Sequence, residues 1–128
     1  MKQERKPVAK ILIVDDDRAT ATLLRTLFEI EGFVGVMCPK PQDVLNTMRR
    51  EKPDVVLMDV HLAEGDSFHI LRAMRGDREL RTVPVVMTSG LDMREKCEAN
   101  GANAFMQKPF KPGELVALVR QQLAPAEL

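Results

Sequence analysis

Two kinds of hydrophobic pattern alternate along this chain. Short, continuous apolar runs are separated by longer stretches in which apolar residues recur every three or four positions. Continuous apolar runs are typical of strands that are buried on both faces, whereas the longer spacing is typical of amphipathic helices. The runs predict strands at residues 8–14, 33–38, 54–59, 83–87 and 104–106.

A segment with helical spacing follows each predicted strand. Gly32 suits the end of the first helix, and Pro41 and Pro112 suit the first turns of the second and the last. Asp66 or Ser67 is the candidate N-cap of the third helix, and the fourth is predicted at 92–100. The residues expected on the inner faces are, helix by helix, Leu23, Leu24, Leu27, Phe28 and Glu31; Val44, Leu45 and Met48; Phe68, Ile70, Leu71 and Met74; Met93 and Cys97; and Leu115, Val116, Leu118, Val119 and Leu123.

Strict alternation of strand and helix, five times over, predicts an α/β fold. Strands this apolar imply a parallel sheet with helices on both faces, and right-handed crossovers reduce the possible topologies to a doubly wound sheet. The second strand has no polar residue at its end, which predicts a place at the edge of the sheet. A chain of 128 residues is long enough for one domain with a sizeable core.

Composition excludes several classes of function. The formal net charge is zero and the sequence pI is about 6.7, so no overall basic field attracts nucleic acid or anionic lipid. Five phenylalanines without Trp or Tyr argue against a base-stacking surface. Cys38 and Cys97 lie far apart without a CxxC spacing, which is typical of reduced thiols in a cytosolic protein. No apolar run approaches the length of a membrane-spanning helix.

Four of the predicted strands end in polar or charged residues. The first ends in Asp15 and Asp16, the third in Asp59, the fourth in Thr88, and the fifth leads to Lys108. Ligands of open parallel sheets bind where the carboxyl ends of the strands meet, so these groups are expected to line one pocket. Taken singly, each has an ordinary structural explanation as a helix cap, a turn or a surface charge. Their occurrence together at one sheet edge favours a site.

The charges of this pocket indicate what it binds. Two carboxylates about 4 Å apart repel each other by roughly 4 kcal/mol at an effective dielectric constant near 20. Lys108 alone cannot neutralise Asp15, Asp16 and Asp59. An open site with only oxygen ligands favours a hard divalent cation, Mg²⁺ before Ca²⁺, and leaves one carboxylate free as a nucleophile. A cation, an ammonium and a hydroxyl around a carboxylate are typical of phosphoryl transfer.

Four stretches of the chain resemble the receiver domain of two-component response regulators. They are residues 11–17 (ILIVDDD), 53–59 (PDVVLMD), 83–89 (VPVVMTS) and 101–110 (GANAFMQKPF), and the resemblance covers about residues 10–123. It implies a flavodoxin-like strand order, 2-1-3-4-5, and a receiver domain over residues 8–124 with short flexible ends at 1–7 and 125–128. Whether the chain stands alone or belongs to a longer regulator or hybrid kinase stays open.

The resemblance also implies roles for the pocket residues. Asp59 would accept a phosphoryl group from a histidine kinase or phosphotransfer protein, and Thr88 and Lys108 would bind its oxygens. The cofactor would be Mg²⁺, held by Asp15, Asp16, Asp59 and the backbone carbonyl of His61.

A switch and an unusual peptide bond are implied in the same way. Phe105 stands at the position of the family's rotating aromatic residue, and Lys108–Pro109 at the position of its usual cis peptide. The chain would catalyse only its own phosphoryl transfer and dephosphorylation.

Two departures from the family pattern lie beside Asp59. Leu62-Ala63 stands where the family commonly has Met-Pro, and Asp66-Ser67 where it has Asp-Gly. His61 and Gly90 occupy positions that in this family tune the lifetime of the phosphoryl group. His61 is expected to be a loop residue that offers its carbonyl, rather than a metal-bound imidazole.

The expected partners are a kinase or phosphotransfer protein and a downstream protein or second copy. The second contact is expected on the face formed by the fourth helix, fifth strand and fifth helix, around Leu91, Met93, Phe105 and Met106. No nucleic acid or membrane contact is expected of this chain, and the expected location is the cytoplasm.

Two other functions remain as alternatives. A pseudo-receiver would share the fold and act as a scaffold without being phosphorylated, but none of the five pocket groups is missing here. A phosphatase of the haloacid dehalogenase type would use Asp15 as nucleophile and Asp17 as its second carboxylate. That type expects a hydroxyl two residues later, where this chain has Ala19.

Overall fold

A five-stranded parallel sheet lies at the centre of the computed structural model, which describes residues 8–123. Four helices and one 3₁₀ turn lie between the strands of the sheet, a fifth helix follows the last strand, and a short antiparallel hairpin follows the third strand. The strands are β1 (Lys10–Val14), β2 (Val34–Met37), β3 (Val55–Asp59), β4 (His61–Leu62), β5 (Gly65–Asp66), β6 (Val85–Ser89) and β7 (Ala104–Gln107). The helices are α1 (Arg18–Ile30), α2 (Val44–Glu51, preceded by the 3₁₀ turn Pro41–Asp43), α3 (Phe68–Arg75), α4 (Arg94–Ala99) and α5 (Pro112–Leu123).

The order of the strands confirms the predicted doubly wound topology. It is β2-β1-β3-β6-β7, with all four neighbouring pairs parallel. The apolar β2 lies at one edge, as its sequence predicted. The flexible ends predicted at 1–7 and 125–128, and the last residue of the predicted domain at 8–124, lie outside the described residues.

The pleat of the sheet divides the core into two layers. Along β3, Val56 and Met58 face one layer, and Val55 and Leu57 face the other, because successive side chains of a strand point to opposite sides. The first layer contains Val44 and Met48 of α2, Phe68, Leu71 and Met74 of α3 and Cys97 of α4; the second contains Ala21, Leu24 and Phe28 of α1 and Leu115, Val116 and Val119 of α5.

The inner face of α1 differs from the prediction. Its buried residues are Ala21, Leu24 and Phe28, which follow the three-then-four spacing of one helix face. Leu23 lies on the opposite side and is 71% exposed, and Glu31 is also exposed. The prediction placed these two residues inside, and it was wrong because the row of leucines spans more of the helix than the core covers.

Several boundaries also differ from those predicted. β6 runs over 85–89 rather than 83–87, because Pro84 has no amide hydrogen to donate to the ladder. The shift brings Thr88 inside the strand. α4 begins at Arg94 rather than at 92 and is only six residues long. The loop predicted after β3 contains the β4–β5 hairpin. Within residues 8–123, no helix is long and apolar enough to cross a bilayer.

Candidate functional site

Asp59 lies at the carboxyl end of the central strand β3, between the ends of β1 and β6. It pairs in register with Thr88 of β6, so these two residues are direct neighbours across the sheet. The Nζ of Lys108 lies 2.8 Å from Asp59 Oδ2. The backbone N–H of Lys108 donates to the carbonyl of Ser89 at 2.8 Å, which fixes the start of the following loop against β6. Three of the predicted site residues therefore meet at this edge.

Further hydrogen bonds hold Asp59 from the loop side. The backbone N–H of His61 donates to Asp59 Oδ1 at 3.1 Å, so both carboxylate oxygens have a donor. The hydroxyl of Ser67 donates to the backbone carbonyl of Asp59 at 2.7 Å, and Ser67 is fully buried. Only 13% of the Asp59 side chain is exposed. The carboxylate is thus oriented in the pocket while one edge stays open to solvent.

Asp15 follows β1 and lies deeper in the same pocket. It is 5% exposed, and its Oδ1 accepts a hydrogen bond from the N–H of Asp17 at 2.9 Å. Burial raises the pKa of the Asp15 carboxyl above its ordinary value, and the negative charge of Asp59 raises that pKa further. Asp15 and Asp59 are thus two neighbouring carboxyl groups beside the single ammonium of Lys108.

Asp16 is exposed and points toward the hairpin. Its Oδ2 accepts a hydrogen bond from the backbone N–H of Ala63, in the turn between β4 and β5. Among the described residues, no three His, Cys, Asp or Glu side chains converge as a ready-made metal site. The donor set nevertheless suits Mg²⁺, because Asp15, Asp16 and Asp59 offer only oxygen ligands and outnumber the Lys108 ammonium beside them.

Asp17 does not join the pocket. Its side chain caps α1, accepting from the N–H of Ala19 at 3.2 Å and from the hydroxyl of Thr20 at 2.7 Å. The ordinary explanation for this residue, a helix cap, thus accounts for its contacts. This arrangement weighs against the dehalogenase-type alternative, which needs the Asp17 carboxylate in the site.

Thr88 and Phe105 lie under the pocket. Thr88 is 4% exposed, and Phe105, on the adjacent strand β7, is 3% exposed. The guanidinium of Arg94 lies 5.6 Å from the centre of the Phe105 ring. The ring is therefore directed inward in this structure, and it adds no area to the outer face. The Lys108–Pro109 peptide is cis.

The sequence pattern missed two serines that shape the site. Ser67 braces the backbone of Asp59, and the Ser89 hydroxyl lies 3.1 Å from Nε2 of His61 and accepts from the N–H of Leu91 at 3.0 Å. The contact between the Ser89 hydroxyl and Nε2 places the His61 imidazole beside the end of β6. A serine at the end of a strand or the start of a helix gives no signal in the hydrophobic pattern, so only the folded geometry identifies these roles.

The outer face predicted for partners is only partly apolar. Leu91 is 62% exposed, whereas Met93 and Met106 are partly buried and Phe105 is buried. Phe105 therefore does not contribute to an exposed patch, contrary to the prediction, because its ring packs into the core layer that contains α4.

Comparison with known proteins identifies a consistent set of relatives. A sequence model of the response regulator receiver domain matches residues 11–120. An uncharacterized 14.6 kDa protein from the sodA1 3′ region of Leptolyngbya boryana is 33% identical, with 87% of each chain covered. The DNA-binding response regulator MtrA of Mycolicibacterium paratuberculosis is 36% identical over 93% of this chain. The chain spans 55% of the length of that relative.

Solved structures share the fold. A putative response regulator from Chloroflexus aurantiacus superimposes with a TM-score of 0.87 at 27% identity, covering 93% of this chain and 100% of that one. The BeF3-activated N-terminal receiver domain of RstA from Klebsiella pneumoniae has a TM-score of 0.82 at 29% identity, with 91% and 99% covered. Both superpositions cover more than nine-tenths of this chain, so the fold described above is shared.

Proposed function

The chain belongs to the response regulator receiver family, and we propose that it is a signalling module gated by phosphorylation of Asp59. The donor is the phosphohistidine of a sensor histidine kinase or a phosphotransfer protein. The contact of 2.8 Å between Lys108 Nζ and Asp59 Oδ2 is the observation that carries the proposal. It brings together a nucleophilic carboxylate at the end of β3 and a cation for phosphoryl oxygens directly after β7, and these two strands are not neighbours in the sheet.

Each residue of the pocket has a task in the transfer. A carboxylate oxygen of Asp59 forms a bond to phosphorus, while the phosphorus–nitrogen bond of the donor breaks and its electron pair returns to the imidazole. The Lys108 ammonium is paired with Asp59 in this structure. Once Asp59 carries the phosphoryl group, the ammonium pairs with the phosphoryl oxygens instead. The Thr88 hydroxyl, next to Asp59 in register, donates to another of these oxygens.

The proposed cofactor is Mg²⁺. Asp15, Asp16, Asp59 and the backbone carbonyl of His61 hold it, and when bound it supplies positive charge that offsets the charge on the phosphoryl oxygens. The surplus of carboxylates over cations in the pocket supports this part of the proposal.

Phosphorylation is proposed to act on Thr88 and Phe105. The phosphoryl group draws the Thr88 hydroxyl toward it, and the space released favours the inward position of the Phe105 ring. The ring is already buried in this structure, so the proposal requires that the unphosphorylated chain also populates an outward ring position and that the phosphoryl group shifts the balance toward the inward one. The size of that bias is limited by the difference in contacts that the phosphoryl group makes in the two states.

The output is proposed to be protein contact in the cytoplasm. A downstream protein or a second copy would bind the face formed by α4, β7 and α5. The chain itself would bind no nucleic acid and would catalyse no reaction besides its own phosphorylation and dephosphorylation.

Intact-mass spectrometry after incubation with acetyl phosphate and MgCl₂ tests the proposal. Wild type is expected to gain one phosphoryl group, and Asp59→Asn none. Asp43→Asn is a matched control, because it removes the same charge at an exposed position in the 3₁₀ turn. No gain in wild type would favour the scaffold alternative. Loss of modification in Asp15→Asn, together with modification of Asp59→Asn, would favour a dehalogenase-type nucleophile.

A further inference from the structure

The hairpin beside the pocket makes a contact with Asp16 that neither the fold nor the sequence pattern requires. The backbone N–H of Ala63 donates a hydrogen bond to Asp16 Oδ2. The two residues are 47 positions apart, and both are exposed. The contact therefore joins the end of β1 to the β4–β5 turn across the mouth of the site.

The N–H of Ala63 is available because the hairpin does not use it. The hairpin pairs His61 with Asp66 and Leu62 with Gly65, which leaves Ala63 and Glu64 as the two turn residues. Among the described residues, Lys52 is the one non-glycine residue with a positive φ, so neither turn residue is left-handed. Gly65 closes the turn with a φ of +124°. These features fit a turn in which proline is accepted at the first central position.

Asp16 is one of the residues proposed to hold Mg²⁺, yet it does not converge with Asp15 and Asp59. The described residues contain no cluster of three acidic, His or Cys side chains close enough for a metal. The Ala63 N–H occupies only Oδ2 of Asp16, but its positive dipole end would lie close to a cation bound to the same carboxylate, and the two would repel each other. To form a cluster with the other two carboxylates, the Asp16 side chain would also have to leave its present position.

We propose that the Ala63 amide and Mg²⁺ compete for the Asp16 carboxylate, so that the β4–β5 turn lowers the affinity for Mg²⁺ and is released when Mg²⁺ binds. This inference rests on the metal part of the proposed function. It assigns Ala63 the role of a positioning residue, acting through its backbone on Asp16.

The released turn is connected to the acceptor residue. The hairpin begins at His61, whose N–H donates to Asp59 Oδ1, and it ends next to Ser67, whose hydroxyl donates to the Asp59 carbonyl. Coupling between two sites is reciprocal, so a turn that opposes Mg²⁺ binding is itself loosened by Mg²⁺. Binding of Mg²⁺ would therefore change the conformation of the β4–β5 turn, next to the proposed phosphorylation site.

Titration with MgCl₂ of wild type, Ala63→Pro and Ala63→Ser, followed by calorimetry, tests the inference. Proline removes the N–H donor at a position whose turn accepts proline, whereas serine keeps the donor. Loss of a charge-assisted hydrogen bond from the metal-free state should tighten Mg²⁺ binding by about 3- to 10-fold in Ala63→Pro, and Ala63→Ser should stay within about twofold of wild type. Equal or weaker binding by Ala63→Pro would overturn the inference.

A second measurement uses the unaltered chain. The amide proton of Ala63, observed by nuclear magnetic resonance, should move upfield when MgCl₂ is added, because its carboxylate acceptor is withdrawn. In Asp16→Ala the same proton should already lie upfield without MgCl₂. An unmoved Ala63 resonance in a wild type that binds Mg²⁺ would overturn this inference alone. Failure of wild type to bind Mg²⁺ at all would overturn the inference together with the proposed metal.

Discussion

The two sides of the pocket hold their carboxylates in different ways. On the sheet side, Asp59 stands on a strand between two paired neighbours, and both of its oxygens have hydrogen-bond donors. On the hairpin side, Asp16 is exposed and is bound by one backbone amide from a two-residue turn. The strand pairing of β3 fixes the position of Asp59, the proposed acceptor, whereas local contacts of a loop position Asp16, the proposed metal ligand. This difference suits a site in which the nucleophile stays in place and the metal shell changes.

Truncation of the buried strand should have the largest effect on stability. Met58 precedes Asp59 and is fully buried in the layer under α3. Met58→Ala should lower the free energy of unfolding by about 2–5 kcal/mol, because it leaves a cavity in the core. Glu64→Ala, in the exposed turn on the other side, should change it by less than about 0.5 kcal/mol. Urea unfolding of the two variants measures both values, and a larger loss for Glu64→Ala would refute the comparison.

Loss of the serine brace should have an intermediate effect. Ser67→Ala removes the donor to the Asp59 carbonyl inside a buried contact. The free energy of unfolding, measured in urea, should fall by about 1 kcal/mol, as expected for one lost hydrogen bond. Thr82→Ala, which removes a hydroxyl at an exposed loop position, is the control and should be close to neutral. If Ser67→Ala is as stable as its control, the loop is not held to the sheet through this hydroxyl.

Removal of the Lys108 ammonium should lower stability less than Met58→Ala or Ser67→Ala, and it should weaken the response to phosphorylation. The Lys108 side chain is one-third exposed, so its ion pair with Asp59 is screened and contributes less than about 1 kcal/mol. Lys108→Ala should therefore unfold at nearly the same urea concentration as wild type. Phosphorylation should then shift the resonances around Thr88 and Phe105 less than in wild type. A full response in Lys108→Ala would remove this residue from the proposed switch, and Lys111→Ala provides a matched loss of charge.

The sequence predicted the sheet side of the pocket better than the hairpin side. In a parallel sheet the strands end at one edge, so apolar runs followed by Asp15, Asp59 and Thr88 were enough to bring those residues together. Lys108 could be added because it follows the last strand directly. The hydrophobic pattern thus predicts the position of a site residue wherever that residue lies at the end of a strand.

Contacts of the loop could not be inferred in this way. The bond from Ala63 to Asp16 and the brace by Ser67 depend on the path of a hairpin that has no hydrophobic pattern of its own. The exposed Leu23 shows the same limit within a helix, because a broad apolar face does not reveal which part the core covers.

Asp59 is proposed to be the residue that accepts the phosphoryl group. After phosphorylation with acetyl phosphate and MgCl₂, borohydride reduction converts an aspartyl phosphate to homoserine, and peptide mass spectrometry locates the altered residue. Homoserine at position 59, and at none of positions 15, 16 and 17, is the predicted result. Homoserine at one of those three positions, with Asp59 unchanged, would contradict the claim.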